Sequence, residues 1–251
     1  MAKKSKNGKL LDVKKNEQYR TVDELMEKSK PSEIYYTLLT LSAVVIAAGL
    51  LLNNSAVVIG GMLITPLITP VLLIGLGFSI GDLDLIKRTS LFVGKSILIT
   101  IGAAFLLGVI FEVKGTPSPF ALDASLNGAV LYFLVALSAG FAATFSWIRK
   151  EISEILPGVA IAVALVPPLS LMGIGISIID ISLVRNNLFV FFFNLLGVIV
   201  GSVLVFSLFK FYKVEKKVEE EVREQKAEEV KAKKEKEKAK KEANKEEKKE
   251  K

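Results

Sequence analysis

Apolar residues dominate six stretches between Ile34 and Phe209, at roughly 34–52, 55–80, 89–111, 126–147, 155–179 and 188–209. Short polar clusters separate them, and both ends of the chain are charged. A bilayer-spanning helix needs about 20 predominantly apolar residues, and each stretch is long enough. The pattern predicts an all-α integral membrane protein with six transmembrane helices. An even number of spans sets both termini on one side. The polar clusters on that side, 81–88 and 149–154, each carry two basic residues, whereas Asn53–Asn54, 112–125 and 180–187 carry none, one and one. Lys and Arg are enriched in short cytoplasmic loops. Both termini are therefore expected in the cytoplasm, with the chain crossing the plasma membrane several times.

Proline interrupts two of the six stretches. MLITPLITP (62–70) sets Pro66 and Pro70 inside span 2, and LVPPL (165–169) sets Pro167 and Pro168 inside span 5. LITPL (63–67) echoes LVPPL. Further on, GLGFSIGD (75–82) echoes GIGISIID (173–180), with Gly75 matching Gly173, Gly77 Gly175, Ser79 Ser177 and Asp82 Asp180. The interval shifts by four residues between the two echoes (63 to 165, then 75 to 173), about one helical turn. Upstream, Tyr36 and 41–43 match Tyr132 and 137–139. Residues 34–111 thus read as one three-span repeat and 126–209 as a second, joined by an extracytoplasmic loop at 112–125. A three-span unit and its copy enter the membrane from opposite faces, so the repeats are expected to be inverted.

The prolines suggest where chemistry lies. Proline lacks an N–H and clashes with the carbonyl one turn back. Carbonyls freed in this way must be buried in protein or line a wet cavity. Broken helices at matching places in two inverted halves point to a midplane binding site. The plain alternative is a kink whose backbone is satisfied by packing or by a Thr side chain.

Composition narrows the possibilities. Of 251 residues, 51% are hydrophobic, and the formal net charge is +7. Between Ile34 and Phe209 seven basic and seven acidic residues cancel, so the excess sits in the tails and no basic face for nucleic acid is expected. Cysteine and histidine are absent, which excludes disulfides, thiol nucleophiles and most zinc sites. With no nucleophile motif or phosphate-binding loop, neither enzymatic activity nor a cofactor or metal is expected.

The candidate path residues are Thr65, Pro66, Thr69, Pro70, Pro167, Pro168, Ser170 and Asn194. Hydroxyl, amide and freed carbonyl oxygens suit a small cation, while half-helix N-termini suit an anion. Asp82 and Asp180, at the ends of spans 2 and 5, and Lys95, inside span 3, are candidate gates. Solvated helix-end carboxylates and a snorkelling lysine are the ordinary readings. Gly197 and Gly201 form a G-x-x-x-G, and Gly140 lies on a small-residue stripe with Ala136 and Thr144. Such stripes serve close packing within one chain or between subunits of a homo-oligomer.

Residues 1–33 read as a charged tail with a short interfacial helix at 22–28. Residues 210–251 hold 17 basic and 13 acidic residues. Val214, Val218 and Val222 recur every fourth residue, which predicts that span 6 continues as a helix into the cytoplasm. A charge-laced helix or disordered segment follows.

SAVVIGGMLITPLITP (55–70), GVAIAVALVPPLSLMGIG (158–175) and FFFNLLG (191–197) resemble characteristic stretches of a prokaryotic membrane family catalogued as domain of unknown function 389. Gly61, Thr65 and Thr69 stand where that family commonly has Ala, Ser and Gly. The resemblance covers roughly 35–210. It implies a fold and a membrane address, and it brings no activity and no catalytic residues. The leading expectation is a transporter or channel for a small solute or ion acting at the broken helices. The alternative is a non-transporting membrane scaffold or lipid-interacting protein.

Overall fold

The computed structural model describes residues 13, 15–111, 126–149 and 165–214. Among these, all regular structure is helical: α1 (Lys15–Lys28), α2 (Glu33–Leu51), α3 (Ser55–Ile64), α4 (Ile68–Ile80), α5 (Leu83–Ile110), α6 (Leu126–Ile148), α7 (Val166–Ser177), α8 (Ile181–Leu208) and a 3₁₀ turn at Phe211–Val214. Helices α2, α5, α6 and α8 are each long and apolar enough to cross a bilayer. The pair α3–α4, bent by 56° at its break, makes a fifth if it is one span. Helix α7 is shorter, and the first part of the expected span 155–179 lies outside the described residues, as do the loop 112–125 and residues 215–251. Over the described residues the chain is an all-helical membrane protein.

Several helix limits differ from the hydropathy reading. The clusters 81–88 and 180–187 were expected as loops, yet 83–88 and 181–187 are helical. Asp82 and Asp180 start α5 and α8 by accepting hydrogen bonds from Leu85 N (2.9 Å) and Leu183 N (3.0 Å). At 28 residues each, these helices run about 42 Å and extend beyond a hydrocarbon core of about 30 Å. At the other end, α8 does not continue into the tail. Lys210 takes a positive φ of 58°, which ends the helix, and Phe211 turns back to pack on Phe206 at 4.9 Å between ring centroids.

The N-terminal segment is likewise more than a solvated tail. Helix α1 buries Val22, Leu25 and Met26 in the main core. Gln18 Nε2 donates to Phe209 O (2.8 Å) and an Arg20 guanidinium nitrogen to Ile148 O (3.4 Å). These side chains occupy carbonyls that the C-terminal ends of α8 and α6 leave open. Helix α1 therefore lies across the end of the bundle where α6 and α8 finish.

Tight turns set the register of neighbouring helices. Asn54 Oδ1 caps α3 by accepting from Ala56 N (3.0 Å) and Val57 N (3.2 Å), so α3 folds back along α2. Helix α5 folds back along α4 in the same way, after the turn at Gly81. Contacts then recur at a constant interval of 98 positions. A Cβ at Gly75 would lie 2.6 Å from Ser202 Cβ, and one at Gly173 would lie 2.8 Å from Ala104 Cβ; 75 to 173 and 104 to 202 are both steps of 98. Gly77 abuts Ile86, and Gly175 abuts Val184. The residues ahead of α4 and α7, Leu67 and Leu165, keep the same interval. In this register Pro70 stands opposite Pro168, so the matching of LITPL with LVPPL is displaced by one turn.

Candidate functional site

The break between α3 and α4 is built by Thr65 and Pro66. A residue before proline is pushed out of the helical region, and Thr65 is extended at φ −67°, ψ 123°. Thr65 Oγ1 donates back to Gly61 O (3.2 Å) and also bonds Ser42 Oγ on α2. The Ser42–Thr65 hydroxyl pair ties the break to α2. Ser42 is fully buried near the middle of α2, so the break lies midway along a spanning helix.

The last four carbonyls of a helix have no partner in its own ladder. At the end of α3, Gly61 O accepts from Thr65 Oγ1 and Met62 O from Thr65 N (3.2 Å). The other two belong to Leu63 and Ile64, whose residues are 51% and 42% exposed. The donor side is poorer. Thr69 and Pro70 fall second and third in α4, and Pro167 and Pro168 fall second and third in α7. Three of these early positions thus carry proline, which has no N–H. First-turn N–H groups are the ones a helix leaves unpaired. The prolines remove donors at the very ends where an anion would bind, and the site is richer in oxygen than in N–H.

Thr69, Pro70, Pro167, Pro168 and Ser170 are buried. The Ser170 hydroxyl is fully enclosed and has no hydrogen-bond partner. Helix α7 packs on α2 as well as on α5 and α8, so both interrupted segments flank α2. Asn194 is buried on α8. Asp82 and Asp180 serve as helix caps. Lys95 is exposed on α5 and is not among the residues at the break. Gly140, Gly197 and Gly201 form the contact of α6 with α8: a Cβ at Gly197 would fall 2.7 Å from Ala136 Cβ, and one at Gly140 would fall 2.6 Å from Val198 Cα. The stripes are used within the chain.

Sequence reasoning did not single out Ser42 as part of this site. A signal existed: Ser42 and Thr65 stand eleven residues to either side of the Asn53–Asn54 turn, so a hairpin closed there brings them level.

Residues 62–200, more than half of the chain, match the family described as Domain of unknown function (DUF389). The chain belongs to this family. The matched region begins just before the break and ends within α8, so it takes in every candidate path residue of this DUF389 member. A relative is the uncharacterized protein MJ0678 of Methanocaldococcus jannaschii, 27% identical over 198 residues, covering 77% of this chain. The chain spans 58% of the length of that relative. No solved structure matches.

Proposed function

We propose that this DUF389 protein is a six-span, inverted-repeat plasma-membrane protein that passes a small cation through a site at the α3–α4 break and the start of α7, with both termini cytoplasmic. The observation that carries this reading is the break itself. It lies midway along a span, and the carbonyls of Leu63 and Ile64 sit there on half-exposed residues. Unpartnered carbonyls facing lipid cost several kcal/mol each; facing a wet path, they coordinate an ion. The Thr65 and Ser42 hydroxyls add oxygens, and proline depletes the opposing N–H donors. This balance favours a cation over an anion.

The inverted arrangement is supported by contact direction. Helix α4 runs antiparallel to α5 across the Gly81 turn. Helix α5 runs parallel to α7, since Gly173 meets Ala104 while Ser177, further along, meets Gly108. Helices α4 and α7, counterparts at the interval of 98, therefore point in opposite directions.

The test is cation flux into proteoliposomes carrying the protein, measured for alkali and alkaline-earth ions. Flux above empty vesicles is expected for at least one ion. Thr65→Val should lower it about tenfold, the equivalent of ~1.4 kcal/mol, without loss of folded protein. Absence of flux for every ion, or wild-type flux in Thr65→Val, refutes the reading.

A further inference from the structure

A second site lies away from the break, where the end of α1 meets α2, α4 and α5. A cavity of about 190 Å³ there is lined by Ser29, Tyr36, Arg88, Thr89, Phe92 and Lys95, among others. Two of these groups are cations and three bear hydroxyls. Ser29 is 8% exposed, and its hydroxyl has no hydrogen-bond partner. A buried hydroxyl left without a partner costs free energy that a bound acceptor recovers.

The depth of this cavity is fixed by its neighbours. Ser32 caps the start of α2 by accepting from Tyr35 N (3.1 Å). Tyr35 stacks near Phe92 at 4.6 Å, and its hydroxyl bonds Ser96 Oγ at 3.1 Å. Tyrosines at the beginning of a span mark the headgroup level. Arg88 and Lys95 therefore bracket the plane where lipid phosphates lie. A lysine one turn inside that plane reaches outward to it along its apolar stem.

A groove of about 920 Å³ runs on from the cavity along the outer face of α5. The two share Leu91 and Lys95. Deeper along the span the groove is walled by Leu91 (68% exposed), Gly94 and Leu98 (70% exposed). Nothing lies within 4 Å of where a Cβ of Gly94 would be, so the missing side chain leaves a channel of open space. At its outer end the groove carries Asp84 and Lys87, one charge of each sign.

We propose that the cavity and groove together bind one anionic phospholipid, with its phosphate at Arg88, Lys95 and Ser29 and an acyl chain lying over Gly94 between Leu91 and Leu98. The cations select negative charge, Ser29 supplies a directed hydrogen bond, and the apolar groove distinguishes a lipid from a free phosphate. This site is separate from the broken helix and stands whether or not the chain conducts ions.

The test is native mass spectrometry of the full chain with phosphatidylglycerol, phosphatidylcholine and inorganic phosphate as probes. Phosphatidylglycerol should bind about fivefold or more tightly than phosphatidylcholine, and Lys95→Gln should lower its binding about fivefold. Gly94→Leu, which projects into open space, should fold normally and weaken phosphatidylglycerol binding by a similar factor. Equal binding of the two lipids, or unchanged binding in both variants, overturns the proposal. So does displacement of phosphatidylglycerol by inorganic phosphate, which would make free phosphate the ligand.

Discussion

Ile179 is a β-branched residue at φ 59°, a left-handed conformation that such residues avoid because Cβ approaches the following carbonyl. Its counterpart at the interval of 98 is Gly81, at φ 80°. Both residues lead into an aspartate that caps the next helix, so the turn geometry is the same and only one copy carries the residue suited to it. Ile179 is 85% exposed, so little packing offsets its strain. Ile179→Gly is expected to stabilise the protein by about 1 kcal/mol, and Gly81→Ala to destabilise it by a similar amount. Thermal unfolding midpoints in detergent, compared with wild type, check both signs. The GLGFSIGD and GIGISIID echo placed these two turns in correspondence, because glycine and capping aspartate leave a local mark. It gave no warning that Ile179 would be strained, since that follows from the φ imposed by the hairpin. The pairing of Ser42 with Thr65 was hidden for a similar reason. A hydroxyl on a membrane helix ordinarily bonds the carbonyl one turn back, and only the closed hairpin brings these two together.

Helices were legible wherever backbone chemistry fixed them locally. Pro66 ends α3 and Asn54 begins it, and both effects act within one turn. The end of α8 was not legible. The valine period predicted continuation past Phe209, whereas Phe211 is buried against Phe206 in a turn that packs on α4 and α1, a tertiary contact that outweighs a weak helical preference. The docking of α1 was missed because its apolar face is narrow and its charges read as solvated. Packing between helices shows the same dependence on context. Gly140 and Gly94 are both helical glycines, but Gly140 meets α8 backbone while Gly94 meets nothing within 4 Å. Gly140→Ala must push α6 from α8 and should cost about 1–3 kcal/mol. Gly94→Ala should be neutral or stabilising by up to about 1 kcal/mol, through helix propensity alone. Unfolding of the two variants in detergent separates the cases: a cost at Gly94, or none at Gly140, would contradict the packing described.

At the scale of the whole molecule, the decisive property is which way each half faces. In the register of 98, Asp84 and Ser182 are equivalent positions in the first turns of α5 and α8, and both are exposed. If the halves were copies in the same orientation, these residues would reach the same side of the membrane. Inverted halves separate them, with Asp84 on the side of α1 and Ser182 on the other. The chain has no cysteine, so a single introduced thiol reports without background. In intact cells a membrane-impermeant maleimide should label Ser182→Cys and leave Asp84→Cys unmodified until the membrane is opened. Both positions lie outside the break; Asp84 lines the outer end of the groove along α5, so lipid binding is read from the other variants and not from this one. Labelling of both from one side would mean that α4 and α7 enter the membrane alike. The halves would then not be inverted, and the mirrored arrangement on which the proposed path rests would be lost. Labelling from opposite sides means that α4 and α7, 13 and 12 residues long, run out to opposite faces from starts near the midplane beside α2. Only at a common level do the carbonyls of Leu63 and Ile64 and the buried Ser170 hydroxyl border a single path.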